Sequence, residues 1–396
     1  MRRSLKFTTV FLTLGYFVAC APVKFDQAPV ASCGSDGVAC VQSCKGDGCI
    51  ETFSIERTIG QSMVDILIID DNSGSMSPDQ AKLASRFSTF LNSLSGMDYR
   101  IAITTTDISS NYSTTPSGIK NPPSSINGNG ALQDGNLITF GNGASYLDAS
   151  TSSAALFNKA IVRQETIDCE NSGYKQCPSD DERGIFAANL VLDRTASQFM
   201  RPLAPLAIIV LSNEDERSLS DSRSVGVPDP STADDDRALM SLFTLEKYDL
   251  GQTLIERFHS KYPGKTLAVH SLIVKPGDNQ GSQSCLAQES NPAKSLRAKE
   301  GYSYSALSQQ TGGVLGSICD NDYGAQLSKI GDAIQKMPPL SFSCRPINDQ
   351  YTVTYDPQPA VQPRVRVDFT TLQFEVVDQL PALTKVKLTY SCKTSK

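Results

Sequence analysis

The chain has no tryptophan and only two histidines, His259 and His270, among 396 residues. A two-histidine zinc centre would need both, and neither stands in the H-E-x-x-H spacing that sets two imidazoles on one helical face. Basic residues do not predominate either: 36 Lys and Arg stand against 42 Asp and Glu, with an isoelectric point near 5.1. That balance excludes the basic footprint of a nucleic-acid binder. After residue 20 no apolar run approaches the roughly 20 residues that span a bilayer, which excludes a polytopic membrane protein. What is present is globular composition, 39% hydrophobic and 20% charged. The length allows two domains, or one large domain with appendages.

Arg2, Arg3 and Lys6 precede an apolar stretch from Phe7 to Val18, the length of an export-signal core. The stretch ends Phe17-Val18-Ala19-Cys20, which resembles the bacterial lipoprotein processing box, where a cysteine after a small residue is lipidated and becomes the first residue. Phe17 stands where that box usually has Leu. The resemblance implies a signal peptide over 1–19, cleavage before Cys20, and a lipid-anchored protein of the bacterial cell envelope, at the outer membrane or facing the periplasm. Without residues 1–19 the chain carries 33 basic and 42 acidic residues, a formal charge of −9. The remaining cysteines are Cys33, Cys40, Cys44, Cys49, Cys169, Cys177, Cys285, Cys319, Cys344 and Cys392. An even number in an exported chain favours disulfides over free thiols. Local pairing is expected: the four cysteines of 33–49 among themselves, then Cys169 with Cys177, Cys285 with Cys319 and Cys344 with Cys392. Sequence does not prove that connectivity.

Residues 20–57, rich in Gly, Ser, Ala and Cys, read as a disulfide-stapled tether. Apolar runs of strand length follow at Val64–Ile69, Leu206–Leu211 and Leu267–Val274, with a further strand at Tyr99–Thr106. Runs apolar on both faces imply strands covered on both sides. Ser77-Pro78-Asp79-Gln80 reads as an N-cap, a first-turn proline and a capping-box Gln, with Leu83, Phe87, Phe90 and Leu94 on one helical face. Further helices are expected near 181–194, 236–261 and 322–336. This alternation predicts an α/β domain over 58–340, a doubly wound, mostly parallel sheet flanked by helices. Residues 109–150, dense in Gly, Asn, Ser and Pro, read as a long surface segment with one short strand at Leu137–Phe140, in an insertion that runs over 109–179. Four short alternating segments within 341–396 predict a small antiparallel β module at the C-terminus.

Ile68-Ile69-Asp70-Asp71-Asn72-Ser73-Gly74-Ser75-Met76, at the C-terminal end of the first of these strands, resembles the first motif of a von Willebrand factor A domain. That motif, Asp-x-Ser-x-Ser, is the core of a metal-ion-dependent adhesion site. The resemblance extends over roughly 58–337 through Tyr99–Asp107, Asp181-Glu182-Arg183-Gly184, Ala207–Glu216 and Thr311-Gly312-Gly313. It implies that Ser73 and Ser75 ligate a divalent cation directly and that Asp71 holds it through water. It implies Mg²⁺ first, with Ca²⁺ and Mn²⁺ as alternatives, and a protein partner that presents a carboxylate to the metal. Neutral hydroxyls leave the ion's charge partly uncompensated, which makes it attractive to an incoming carboxylate.

Two departures from the family pattern stand out. Asn213 occupies the place of the loop Asp after the fourth strand, and Glu214, Asp215 or Glu216 would have to substitute, with Asp215 the preferred candidate. The loop Thr has no clear counterpart; Ser179 is the first candidate, with Thr166 and Thr151 behind it. Asp71-Asn72-Ser73 lacks the second Asp of a haloacid-dehalogenase-type phosphatase, and no phospho-acceptor strand follows as in a response regulator. The expectation is a non-enzymatic envelope lipoprotein with an adhesion or interaction role. The alternative is a metal-independent scaffold or envelope-assembly component.

Overall fold

The computed structural model describes residues 38–45, 48–58, 63–108, 133–151, 153–172, 183–201, 204–216, 245, 247–290, 298–320, 322–337, 340–378, 380–381 and 384–395. Chain contacts divide the molecule after Ala31, and every described residue belongs to the second unit. In chain order the elements are β1 (Val38–Lys45), β2 (Gly48–Thr58), β3 (Met63–Asp70), α1 (Ser77–Ser93), β4 (Asp98–Thr105) and β5 (Leu147–Asp148). Next come α2 (Ala154–Ile161), α3 (Gln164–Asn171), α4 (Gly184–Arg194), β6 (Leu206–Ser212), α5 (Gly251–Lys261) and β7 (Leu267–Ile273). The last are α6 (Cys285–Glu289), α7 (Tyr302–Gln310), β8 (Leu315–Ser317), α8 (Tyr323–Gln335), β9 (Leu340–Ser341), β10 (Tyr351–Asp356), β11 (Val365–Asp368), β12 (Gln373–Val376) and β13 (Lys385–Ser395).

Six strands form the main sheet in the order β5-β4-β3-β6-β7-β8, all parallel except β5, which lies antiparallel on β4. Side chains alternate across a strand, so β3 feeds both faces. Val64, Ile66 and Ile68 join Leu83, Phe87 and Phe90 of α1 and Leu327, Ile330 and Ile334 of α8. Leu67 and Ile69 join Ile185 and Val191 of α4, Leu254 and Phe258 of α5, and Tyr304 and Leu307 of α7. Each such side chain, fully buried, contributes about 1.5–3 kcal/mol. Helices α1 and α8 cross closely because Gly331 has no side chain: a Cβ there would lie 2.6 Å from Ser93 Cβ. The doubly wound, mostly parallel sheet expected from the strand runs is therefore the one the chain forms.

The insertion differs from expectation. Within 109–150 the described part is not merely surface, since Ile138 and Phe140 are buried against the α1 face, and beyond it α2 and α3 follow, with Phe157 and Ile161 in the same core. Phe157 stacks on Phe87 with parallel rings. The short strand expected at Leu137–Phe140 is absent. That segment makes one ladder-like bond, Ile138 N to Ile103 O at 2.8 Å, and Leu147–Asp148 forms the edge strand instead.

The C-terminal strands form two small sheets, β1-β2-β13-β10 and β11-β12-β9, whose side chains share one core of Phe53, Ile55, Phe342, Phe374, Leu388 and Tyr390. Residues 48–57, expected as tether, are instead most of β2, which pairs with β13 over the whole length Gly48–Thr58. Low periodicity in the sequence concealed a strand whose partner lies more than 300 residues away. The module docks where the parallel strands begin. Ser341 N donates to Gly264 O (3.3 Å) just before β7, and Gln373 Nε2 donates to Thr311 O (3.2 Å) just before β8. Gly264, at φ +76°, lets Ile55 press onto the chain, since a Cβ there would lie 2.4 Å from Ile55 Cδ1. The opposite edge, where the strands end, is left to the loops that follow them.

Disulfides join Cys285 to Cys319 and Cys344 to Cys392, as expected from local pairing. Cys49 and Cys169 are also disulfide-bonded, and the strand register sets Cys44 opposite Cys49. Cys20, Cys33 and Cys177 lie outside the described residues, as does Ser179. Both histidines are structural: His270 Nδ1 accepts from Val314 N (3.0 Å), and burial lowers each imidazole to a pKa of about 4.

Candidate metal centre

In an open α/β sheet the crevice beyond the carboxyl ends of the strands is where ligands bind. There β3 runs out at Asp70, and Asp71 folds its own loop: Asp71 Oδ1 accepts from Ser73 N at 2.8 Å, the short-range closure for which Asp is favoured in turns. A single 3-10 turn, Gly74–Met76, then leads into α1. Because β6 lies beside β3, its last residue meets this loop. Ser212 Oγ donates to Asp71 Oδ2 at 2.7 Å and accepts from Glu214 N at 3.1 Å. Both Asp71 oxygens are thereby oriented, and the carboxylate is buried.

Around it the polar groups named by the motif converge. Ser73 Oγ and Ser75 Oγ lie 3.2 Å apart, and Ser75 Oγ donates to Asn213 Oδ1 at 3.2 Å. The Asn213 backbone is fixed by Lys299 N donating to its carbonyl at 2.9 Å. Asp71 and Asn213 are buried while the two serines are half-buried, so the hydroxyls form the outer face of the cluster.

Gln80 does not close a capping box on α1, as its spacing predicted. The α1 N-cap is Met76 and makes no side-chain cap bond. The Gln80 amide instead holds the loop from beneath: Nε2 donates to Asp70 Oδ2 (3.0 Å), Asp71 O (3.0 Å) and Thr166 Oγ1 (3.2 Å), and Oε1 accepts from Arg163 N (3.0 Å). Thr166 Oγ1 also donates to Asn72 O at 2.9 Å. Thr166 thus braces the motif loop from α3. Thr151, by contrast, closes its own exposed turn on Asp148, with Oγ1 donating to Asp148 Oδ1 at 2.8 Å. Burial pushes Asp70 well above the usual carboxylate range, and the charges of Asp71, Glu165 and Asp107 push it further, against Arg163.

Asp215 is not brought to the serines. Its carboxylate accepts from Ser303 N (2.9 and 3.2 Å) and Ser303 Oγ (3.1 Å) at the start of α7, and burial raises its pKa to about 7. Glu216 turns the same way, to another helix: it accepts from Ile185 N (2.7 Å) and Phe186 N (3.0 Å) at the start of α4. Beside it Arg183 forms a fully buried bidentate pair with Asp249, at 2.8 and 2.9 Å. Of the three acids considered as substitutes after β6, the two buried ones are helix-end acceptors, and Glu214 is held to Ser212 through its backbone.

Glu289 is the last residue of α6, near Asp79. Burial raises Glu289 to about 7, and the neighbouring Asp79 charge adds to the rise. Asp79 itself pairs with Lys82 at 2.8 Å. Sequence reasoning missed Ser212 and Gln80 as members of the site. Ser212 alone carried a signal, as the hydroxyl that ends an apolar strand next to the expected loop.

The donor set fits a hard divalent cation: oxygens only, two neutral hydroxyls, one amide oxygen and one carboxylate. Among the described residues no three His, Cys, Asp or Glu side chains gather as a metal cage. Ser73, Ser75, Asn213 and Asp71 could hold such an ion while leaving its charge largely uncompensated.

No protein-family model matches the chain, and no curated protein matches it. Among solved structures, the pilus adhesin SpaC from Lactobacillus rhamnosus GG in its open conformation aligns with 91% of this chain and 42% of its own, at 12% identity and a TM-score of 0.27. A von Willebrand factor type A protein from Catenulispora acidiphila aligns with 88% of this chain and 61% of its own, at 14% identity and a TM-score of 0.31. The manganese-loaded TRAP protein of Plasmodium vivax aligns with 56% of this chain and 60% of its own, at 11% identity and a TM-score of 0.23. The chain spans less than two thirds of each. Likenesses at these scores carry no argument about what the chain does.

Proposed function

We propose that the chain is an exported, envelope-anchored, non-enzymatic protein whose α/β domain has the von Willebrand A character and binds a protein partner through a divalent cation. The observation that carries this reading is the convergence of Ser73 Oγ, Ser75 Oγ and Asn213 Oδ1 beside the doubly oriented Asp71 carboxylate. Mg²⁺, or Ca²⁺ or Mn²⁺ in its place, would supply an electrophile for a partner's carboxylate. The protein's part is to fix the oxygens: Ser212 and the Ser73 amide hold Asp71, and Gln80 and Thr166 hold the loop. The Cys20 anchor and the signal peptide belong to the same proposal, supported by the Ala19-Cys20 box and by disulfides suited to an oxidising compartment.

The test is capture of partners from envelope extract by the full chain, with and without EDTA, beside an Asp71→Ala variant. Loss of capture in EDTA and in the variant is the expected result. A second reading, a metal-independent scaffold, is favoured by one feature: Asn213 replaces a carboxylate and Asp215 is committed to Ser303. Capture that survives both EDTA and Asp71→Ala selects it.

A further inference from the structure

Divalent ions of different size ask different things of a carboxylate. Ca²⁺ takes about 6–8 oxygens and often chelates a carboxylate through both of its own, whereas Mg²⁺ takes about six and keeps several waters. Which ion a site favours therefore depends on how its carboxylate is turned. At the candidate site the two oxygens of Asp71 are held from two sides. Oδ1 accepts from Ser73 N within its own loop, at 2.8 Å, and Oδ2 accepts from Ser212 Oγ at the end of β6, at 2.7 Å. Ser212 is fully buried while Ser73 and Ser75 are half-buried, so Oδ2 is drawn inward, away from the face where the motif hydroxyls lie.

The sheet itself delivers that hydroxyl. β6 pairs with β3 up to Asp70 and Leu211, and Asp71 N donates to Leu211 O at 3.0 Å, so the next residue of β6 stands beside the Asp71 side chain. A hydroxyl has one hydrogen to give. Of the two acceptors near Ser212 Oγ, Asp71 Oδ2 is closer than Glu214 O, at 2.7 against 3.0 Å, and a bond to a carboxylate is the stronger. Glu214 N donates back to Ser212 Oγ at 3.1 Å. Turning both Asp71 oxygens onto one cation would take Oδ2 away from this buried donor.

We infer that Ser212 is a positioning residue that biases the site against Ca²⁺: by holding Asp71 Oδ2 it leaves a cation at most one oxygen of that carboxylate, directly or through water. The inference rests on the cation-site reading above. Ser73 Oγ, Ser75 Oγ, Asn213 Oδ1 and a single Asp71 oxygen suit an ion that keeps its waters. A larger ion of higher coordination gains from the second Asp71 oxygen, and Ser212 withholds it.

The experiment is calorimetric titration of the full chain with MgCl₂ and, separately, with CaCl₂, with the melting temperature in EDTA as a control for folding. The readout is the ratio of the two dissociation constants. Ser212→Ala frees Asp71 to chelate and should shift that ratio toward Ca²⁺ about tenfold. A purely structural role would weaken both ions together and leave the ratio where it was. Ser212→Thr and Ser212→Val are alike in shape and differ in the hydroxyl, so overpacking cancels between them. Ser212→Thr keeps the donor and should stay within about threefold of the wild-type ratio, whereas Ser212→Val should shift as Ser212→Ala does; this pair also decides the matter if Ser212→Ala does not fold. A ratio unchanged in Ser212→Ala, or equal in Ser212→Thr and Ser212→Val, overturns the inference alone. A wild type that shows no saturable binding of either ion at millimolar concentration overturns the site reading and this inference with it.

Discussion

Two acids that look interchangeable in sequence have separate tasks once the chain folds. Asp71 sits inside the oxygen cluster, with each carboxylate oxygen held by a donor from a neighbouring strand end or loop. Asp215, two positions beyond Asn213, faces the other way and receives the N–H and hydroxyl of Ser303 at the start of α7. Helix N-terminal N–H groups lack intrahelical partners, and losing an acidic acceptor there costs about 0.5–2 kcal/mol. Asp215→Ala should therefore lower the urea midpoint by an amount of that order while Mn²⁺ affinity stays within twofold of wild type. A variant that folds as well as wild type but no longer binds the ion would return Asp215 to the metal centre. The legibility of the site follows the same division. Asp71, Ser73 and Ser75 could be read because the turn that gathers them is local. Ser212 and Gln80 could not, because each reaches the cluster through a strand neighbour or a helix whose placement depends on the whole sheet.

Among the elements, long apolar strands were the easiest to read and short helices the hardest. β3, β6 and β7 are buried along nearly their whole length, so their composition alone marks them. Helices α2 and α3 have eight residues each, too short for their periodicity to stand out. Helix α5 shows a third case, an amphipathic helix that carries a buried imidazole near its end. His259 Nδ1 has no hydrogen-bond partner among the described residues, and burial lowers its pKa from 6.5 to about 4. The sign of the effect follows from proton counting. Between those two values the unfolded chain binds a proton that the folded chain refuses, so folding stability is lost as pH falls from 6.5 toward 4. His259→Leu removes this term. Its stability relative to wild type should rise by roughly 2–3 kcal/mol between pH 7.5 and pH 4.5, read from urea unfolding at both. A difference that does not change with pH would show that His259 titrates normally.

At the scale of the molecule, the parallel sheet separates two kinds of work. Its strand ends carry the oxygen cluster, and its strand beginnings receive the β module through Gly264, Ser341 and Thr311. The module joins both described ends of the chain, since β2 lies between β1 and β13 in one sheet. That closure could not be read from sequence, because β2 makes sense as a strand only beside β13. Cys344–Cys392 staples the same module, spanning 48 residues of sequence, and Cys392 is buried in its core. A disulfide of this kind contributes about 2–4 kcal/mol, chiefly by restricting the unfolded chain. The double variant Cys344→Ser with Cys392→Ser should therefore melt several degrees earlier. Its Mn²⁺ affinity below the melting transition should equal that of wild type, because the hydrogen bonds described above for Asp71, Ser73, Ser75 and Asn213 come from strand-end loops outside the module. A loss of affinity in step with the loss of stability would mean that the two edges of the sheet are energetically coupled, and that the module takes part in shaping the site.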